Sequence, residues 1–225
     1  VRRVVTRYAL YGSMRHDAAA VDVNPRKETQ MFKKATKEKA RLRMALVGVS
    51  GSGKTYTALS IAKHLADGGG VAVLDTERGS ASKYADLFDF DVIDMEHFAP
   101  QEYVKWIHEA SKAGYSVLVI DSLSHAWMGK GGALEMVDAA AKRSQGNSFM
   151  AWRDVTPQHN SLIDAILGAP LHVIVTMRAK SEYVVEVNER GKSVPRKVGM
   201  APVQRQDMEY EFDVVADLDT EHNFV

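Results

Sequence analysis

The sequence predicts an α/β fold with a mainly parallel central sheet, helices on both faces and a C-terminal β-hairpin region. From residue 42 onward, short apolar runs that suit buried strands alternate with amphipathic stretches that suit helices. Several runs are apolar at nearly every position, as expected for strands covered on both faces. The first run also leads directly through a glycine-rich loop into a helix.

The predicted elements follow one another at short intervals. The predicted strands are residues 42–47, 71–75, 90–94, 117–121, 171–176 and 212–216, and the predicted helices are residues 55–66, 100–113, 132–143 and 157–167. Residues 183–188 and 193–198 flank the turn Glu-Arg-Gly-Lys, which is typical of a hairpin. Because parallel strands end at one edge of a sheet, a ligand is expected at that edge.

The composition is that of an ordinary globular domain. The chain has 225 residues, of which 45% are hydrophobic and 26% charged, and this length allows a sizeable core. Its lack of cysteine excludes disulfides, thiolate zinc sites and a cysteine nucleophile. No apolar run approaches the roughly 20 residues of a membrane span and no signal peptide is evident, so we expect no membrane partner and a cytoplasmic location.

The two ends of the chain differ from its centre. Residues 1–43 hold twelve Lys and Arg against four acidic residues, although the whole chain has a formal net charge of zero. Such an arm suits an acidic partner such as nucleic acid, or it is a solvated tail. Because Met31 resembles a translation start, we expect residues 1–30 to be a disordered extension and residues 31–225 to form the folded domain. The sequence stops as a new strand begins, which suggests a truncated domain.

The glycine-rich loop carries the clearest chemical signal. Residues 48–55 match G-x-x-x-x-G-K-[ST], the pattern of a phosphate-binding loop. Glycines let backbone N–H groups turn inward around an anion, and the following helix points its N-terminus at that anion. Lys54 is expected to reach the β- and γ-phosphates and Thr55 to bind Mg²⁺. The predicted ATP-binding residues are Gly48, Val49, Ser50, Gly51, Ser52, Gly53, Lys54, Thr55 and Tyr56.

Asp121 is the candidate metal ligand. Hydrolysis requires an acid that holds the metal, a group that orients water and a sensor of the γ-phosphate. Asp121 ends the apolar run 117–120, where its carboxylate would hold Mg²⁺ beside Thr55. The alternative is an aspartate that caps the following turn.

Glu77 is the candidate general base. It follows the strand at residues 71–75, and a carboxylate there would face the γ-phosphate and polarise the attacking water. The alternative is a surface ion pair with Arg78 or Lys83. Asp75 is a further candidate acid, as a second ligand of the water shell around the metal.

Thr176 and Arg178 complete the predicted catalytic set. Thr176 ends the strand at residues 171–176, where a hydroxyl would sense the γ-phosphate. Arg178, together with Lys180, would supply a cationic finger to the nucleotide of a neighbouring subunit. The alternative for both cations is an ordinary solvated loop.

The order and spacing of these motifs resemble those of RecA-like recombinase ATPases. More closely, residues 31–219 resemble bacteriophage ATP-binding proteins of the RecA-like AAA class, including phage single-strand annealing ATPases. Residues 75–84, 121–127 and 197–205 carry that likeness. The resemblance implies a RecA-like P-loop NTPase fold, ATP and Mg²⁺ as ligands, a homo-oligomeric ring or filament, and a place in the host cytoplasm.

The resemblance also implies two DNA-contacting loops, at about residues 126–155 and 178–205. Basic residues interleaved with aromatic ones suit phosphate neutralisation and base stacking on single-stranded DNA. The predicted DNA-binding residues are Lys130, Arg153, Lys180, Arg190, Lys192, Arg196 and Lys197. The alternative is a hairpin with ordinary surface charges. The chain also departs from cellular recombinases, which carry a polar Asn/Gln pair where residues 176–180 read Thr-Met-Arg-Ala-Lys.

The leading hypothesis is a Mg²⁺-dependent ATPase of phage RecA-like type that acts in DNA recombination or single-strand annealing. A first alternative is a helicase-like or packaging-type motor that moves nucleic acid. A second alternative is a regulatory module that binds nucleotide and rarely hydrolyses it.

Overall fold

The structure is a computed structural model that describes residues 40–144, 146–187 and 193–224. For residues 148, 182–187 and 194–198 the backbone alone is described. The predicted extension at residues 1–30 and the first residues of the predicted domain lie outside the described residues. No helix in the described part is both long and apolar enough to cross a membrane.

The described chain forms a seven-stranded sheet with helices around it. The strands are β1 Arg43–Gly48, β2 Val71–Asp75, β3 Asp91–Asp94, β4 Val117–Asp121, β5 His172–Val187, β6 Ser193–Pro202 and β7 Val214–Leu218, and the helices are α1 Lys54–Leu65, α2 Pro100–Ala113, α3 Ser124–Met128, α4 Ala133–Arg143 and α5 Ser148–Gly168.

The strand order is β3-β2-β4-β5-β1-β7, with β6 paired to β5. Neighbours along the main path are parallel, whereas β5 and β6 form an antiparallel hairpin. The predicted α/β class, with its mainly parallel sheet and C-terminal hairpin, is confirmed.

Helices pack on both faces of this sheet. Side chains alternate along a strand, so Leu118 and Ile120 of β4 face one side while Val117 and Val119 face the other. The first pair belongs to an apolar cluster with α2 and α5, and the second pair belongs to a cluster with α1. Burial on both faces explains why the central strands are apolar at nearly every position.

Three elements differ from the prediction. Helix α5 begins at Ser148 rather than near Pro157, because Asn147 caps it by accepting a hydrogen bond from the backbone of Met150 (3.1 Å). Pro157 therefore lies inside the helix, although proline is favoured at a helix start. The short helix α3 was not predicted. Residues 172–187, which overlap both predicted strands at 171–176 and 183–188, form one continuous strand, β5.

The strand register brings the predicted catalytic positions together at the carboxyl edge of the sheet. Asp121 at the end of β4 lies beside Asp75 at the end of β2. On the other side of β4, β5 carries Thr176 and Arg178, and Arg178 is paired in register with Gly48 of β1. Strand β5 thus separates the phosphate-loop strand from the strand that ends in Asp121.

Candidate nucleotide-binding site

A cavity of about 930 Å³ opens at the carboxyl edge of the sheet. Its lining includes most of the predicted ATP-binding and catalytic residues, namely Val49, Ser50, Gly51, Gly53, Lys54, Thr55, Tyr56, Glu77, Asp121 and Arg178. Gly48, Ser52 and Thr176 are buried and do not line this cavity. One pocket of nucleotide size therefore gathers these predicted residues from four separate parts of the chain.

Geometry explains why the loop needs glycine. Gly53 adopts φ 86°, a left-handed conformation that favours glycine, and it caps the start of α1. Gly48 is needed for close packing, since a β-carbon there would lie 2.5 Å from Ser52 Oγ and 2.7 Å from the carbonyl oxygen of Leu218. The loop is thus pressed against the end of β7 as well as against its own turn.

Lys54 is held over the loop. Its Nζ donates a hydrogen bond to the carbonyl oxygen of Val49 (2.7 Å). Burial lowers the pKa of Lys54, and the nearby carboxylates of Asp121 and Glu77 act against that shift. The ammonium therefore lies against the backbone of the loop, and its contact with phosphates stays a prediction.

Asp121 is the buried acid of the site, with 2% of its surface exposed. Thr55 Oγ1 donates to its Oδ2 (2.6 Å), and Thr176 Oγ1 donates to its Oδ1. Burial raises the pKa of Asp121, and the two hydroxyl donors offset part of that shift. The Thr176 hydroxyl is thus hydrogen-bonded to the Asp121 carboxylate and does not point into the cavity.

The oxygen donors of Thr55 and Asp121 fit a magnesium ion. Mg²⁺ prefers hydroxyl, carboxylate, water and phosphate oxygens, and protein sites for it use one or two carboxylates plus substrate phosphates. Among the described residues no group of three or more His, Asp or Glu could hold a metal without such help. The donor set therefore suits a metal that arrives with a nucleotide.

Glu77 forms a bidentate ion pair with Arg178. The guanidinium donates from Nε to Oε1 (3.0 Å) and from Nη2 to Oε2 (2.5 Å), and Ser122 Oγ also donates to Oε1 (3.3 Å). Burial alone would raise the pKa of Glu77, but the hydrogen bonds and charge of Arg178 outweigh it and the pKa is lowered. The partner of Glu77 is therefore neither Arg78 nor Lys83, and Arg178 lies in the cavity of its own chain.

Asp75 organises the loop that carries Glu77. Its Oδ1 accepts from the backbone N–H of Glu77 (2.6 Å) and its Oδ2 accepts from that of Ala81 (2.7 Å). Both carboxylate oxygens are thus engaged by backbone, and Asp75 is almost fully buried. Asp75 therefore anchors the backbone of this loop. It was expected instead to be a ligand of the water shell around the metal.

Thr76 and His125, which are not among the predicted site residues, form a hydrogen-bonded pair next to Glu77. Thr76 Oγ1 is hydrogen-bonded to His125 Nδ1 (2.6 Å) and accepts from the backbone N–H of Ser122 (2.7 Å). Burial lowers the pKa of His125, whose ring stacks on Phe98 at a centroid distance of 4.9 Å. These contacts hold the ends of β2 and β4 together beneath Glu77.

An aromatic group beside α1 was also missed. Tyr56 packs edge-to-face on Tyr84 (6.0 Å) and Phe88 (5.4 Å), and both tyrosines line the cavity. Tyr56 directly follows the phosphate loop, but nothing in the sequence pattern indicates that Tyr84 returns to meet it. The cavity thus has an apolar wall next to its charged floor.

The candidate DNA-binding residues are only partly described. Lys130, Arg153 and Lys180 are exposed, on the α3–α4 loop, α5 and β5 respectively. Arg190 and Lys192 lie outside the described residues, and for Arg196 and Lys197 the backbone alone is described, in β6. The assignment of these residues to DNA stays a prediction.

Comparisons with known proteins identify a family. The sequence profile of the family described as AAA domain matches residues 40–224, which is most of the chain. No curated protein matches the chain. Among solved structures, a RadB recombinase is similar with 20% identity and a TM-score of 0.44, over 79% of this chain and 74% of that one. A likeness this distant carries no functional information.

Proposed function

Because the chain belongs to the AAA domain family, we propose that it binds ATP with Mg²⁺ and hydrolyses it in support of DNA recombination or single-strand annealing. One observation carries the proposal. The phosphate loop, the Thr55–Asp121 pair and Glu77 meet in a single cavity at the carboxyl edge of a parallel sheet. That edge is where α/β proteins of this kind bind their ligands.

The phosphate loop would bind the triphosphate. Backbone N–H groups of residues 50–55 and the N-terminus of α1 would cradle its oxygens. Lys54 would leave the Val49 carbonyl and donate to the β- and γ-phosphates. Thr55 and Asp121 would hold Mg²⁺, which offsets phosphate charge and orients the γ-phosphate when it is bound.

Glu77 would orient the attacking water. Its carboxylate lies in the same cavity as Lys54, and its lowered pKa keeps it ionised. The proton of the water would pass to Glu77 as the oxygen attacks phosphorus in line with the leaving ADP. The bidentate hydrogen bonds of Arg178 would first have to loosen, since they occupy both carboxylate oxygens.

The DNA role rests on charge and on family likeness. Lys130, Arg153 and Lys180 are exposed cations within the two segments that are predicted to contact DNA, at about residues 126–155 and 178–205. The motifs at residues 75–84, 121–127 and 197–205 favour a phage-type protein of the single-strand annealing class. Assembly into a ring or filament would let several chains track one strand.

The decisive experiment measures ATP hydrolysis with and without single-stranded DNA, for the wild type and for Glu77→Gln. We expect DNA-stimulated turnover in the wild type and a loss of 10²-fold or more in the variant, roughly the range for a general base. ATP affinity should be retained in Glu77→Gln, since the phosphate loop is intact. Normal turnover by that variant would disprove the base assignment.

The alternatives give different outcomes. Directional unwinding with DNA-stimulated turnover would favour a motor, and tight ATP binding without turnover would favour a regulatory module. DNA binding should weaken steeply with salt, because neutralised phosphates release counterions. The recombination role would be abandoned if single-stranded DNA neither binds nor stimulates.

A further inference from the structure

We propose that His222 contacts the sugar of the bound nucleotide and closes that side of the phosphate loop. This inference rests on the nucleotide binding proposed above. It concerns a residue that no phosphate-loop or strand-end motif identifies.

His222 lines the same cavity as Lys54 and Thr55. Its imidazole stands directly over the loop, because a β-carbon added to Gly53 would lie 3.2 Å from Nδ1. Gly53 is the N-cap of α1 and the residue before Lys54. The ring is therefore positioned at the mouth of the anion cradle.

A tight turn fixes the backbone of His222. Asp219 Oδ1 accepts hydrogen bonds from the backbone N–H groups of Glu221 (2.8 Å) and Asn223 (2.9 Å). The N–H of His222 donates to the Asp219 carbonyl (3.3 Å), and His222 itself has φ 65°. Because His222 has this left-handed conformation, its side chain leaves the backbone in a different direction from that of a residue in an extended segment.

The sheet order places His222 opposite the catalytic acids. The turn follows β7, whose last residue, Leu218, is paired in register with Gly48. Strand β7 lies on one side of β1, whereas β5, β4 and β2 lie on the other. Asp121 and Glu77 thus occupy the side where the γ-phosphate would lie, and His222 occupies the side left for the nucleoside.

The chemistry of the ring suits that position. An imidazole carries one donor and one acceptor when neutral, which matches ribose hydroxyls. The ligand class is a nucleoside di- or triphosphate. Bare polyphosphate would lack the sugar that His222 is placed to meet.

The test compares ATP, ADP and tripolyphosphate binding to the full chain by calorimetry. We expect His222→Ala to weaken ATP and ADP about tenfold, the loss of one hydrogen bond to a charged or polar group, and to leave tripolyphosphate affinity unchanged. His108→Ala is the matched control, since His108 is exposed on α2 and does not line the cavity. Asp219→Ala, which releases the turn, should reproduce part of the loss.

The outcomes separate this inference from the proposed function. Wild-type ATP affinity in His222→Ala would overturn the inference, and so would an equal loss for ATP and tripolyphosphate, because the ring would then act on the loop alone. If instead the wild type does not bind ATP, or Lys54→Ala binds it as tightly, the nucleotide site itself is refuted.

Discussion

Glu77 and Arg178 form a two-point ion pair in the lining of the cavity, with N–O distances of 3.0 and 2.5 Å. The pair is half-exposed, with 26% of the Glu77 side chain and 43% of the Arg178 side chain accessible to solvent. Its geometry is therefore specific, but water and salt can weaken it. Such a pair holds the candidate base in place and can still be opened by a ligand.

A double-mutant cycle should measure this pair. We expect Glu77→Gln, Arg178→Gln and their combination to give a coupling of about 1 kcal/mol in the free energy of unfolding, because solvent screens part of the attraction. The coupling should shrink in about 0.5 M salt. Urea unfolding at low and high salt provides the measurement, and additive effects of the two substitutions would mean that the ion pair contributes no stability.

Asp121→Asn should stabilise the nucleotide-free protein. Burial raises the pKa of Asp121 in the folded protein above 3.8. At a pH above that folded pKa the buried carboxylate is ionised and lowers the free energy of unfolding, whereas a neutral amide does not. A gain of 1 kcal/mol would raise the melting temperature by about 2 to 4 °C. The same change should abolish the Mg²⁺ dependence of ATP binding.

Asp75→Asn is the matched control for that prediction. Both oxygens of Asp75 accept backbone hydrogen bonds, and an amide retains one acceptor, so this variant should lose about 1 to 3 kcal/mol of stability. Thermal unfolding without nucleotide compares the two variants. A lower melting temperature for Asp121→Asn would contradict the cost assigned to the buried carboxylate.

Gly48→Ala should disrupt the phosphate loop. Its new methyl group would meet Ser52 Oγ at 2.5 Å and the backbone carbonyl of Leu218 at 2.7 Å, so we expect a loss on the order of 3 kcal/mol. Adding Ser52→Ala should restore only part of the lost stability, because the clash with the backbone carbonyl of Leu218 remains. Gly168→Ala has open space at the end of α5 and should gain about 0.5 kcal/mol. Equal effects at the two glycines, measured by urea unfolding, would refute the packing argument.

Stability should fall in mild acid, in part through His125. Its folded pKa lies below the unfolded value of 6.5, so its contribution is complete above pH 6.5 and is lost as the pH falls below it. Desolvation and Arg178 lower this pKa, while Glu77 and Asp75 act in the opposite direction. His125→Asn should therefore lose less stability than the wild type between about pH 7.5 and 5.5.

Urea midpoints at the two pH values test this prediction. Burial lowers the pKa of His159 and His172 as well, so some acid sensitivity should persist in His125→Asn. His108→Asn, an exposed substitution, should keep the wild-type slope. An unchanged slope in His125→Asn would show that His125 is not part of the acid response.

Local patterns were enough to predict much of the site. The phosphate loop follows from eight consecutive residues, and Asp121 follows from the apolar run before it. Helix α5 was placed less well, because Pro157 is a strong local signal for a helix start and tertiary packing overrides it. The roles predicted for Thr176 and Asp75 depend on the direction in which each side chain points. A position at the end of a strand does not specify that direction.

The sequence by itself determined the class of the fold and the position of the glycine-rich loop, because both depend on spacing between near neighbours. Tertiary structure decided which residues contact one another in the cavity. Arg178 reaches Glu77 across 101 positions of sequence, and His222 reaches Gly53 from the far side of β1. Strand order sets these contacts, and strand order depends on how α1, α2 and α5 bury the two faces of the sheet, which no short pattern encodes.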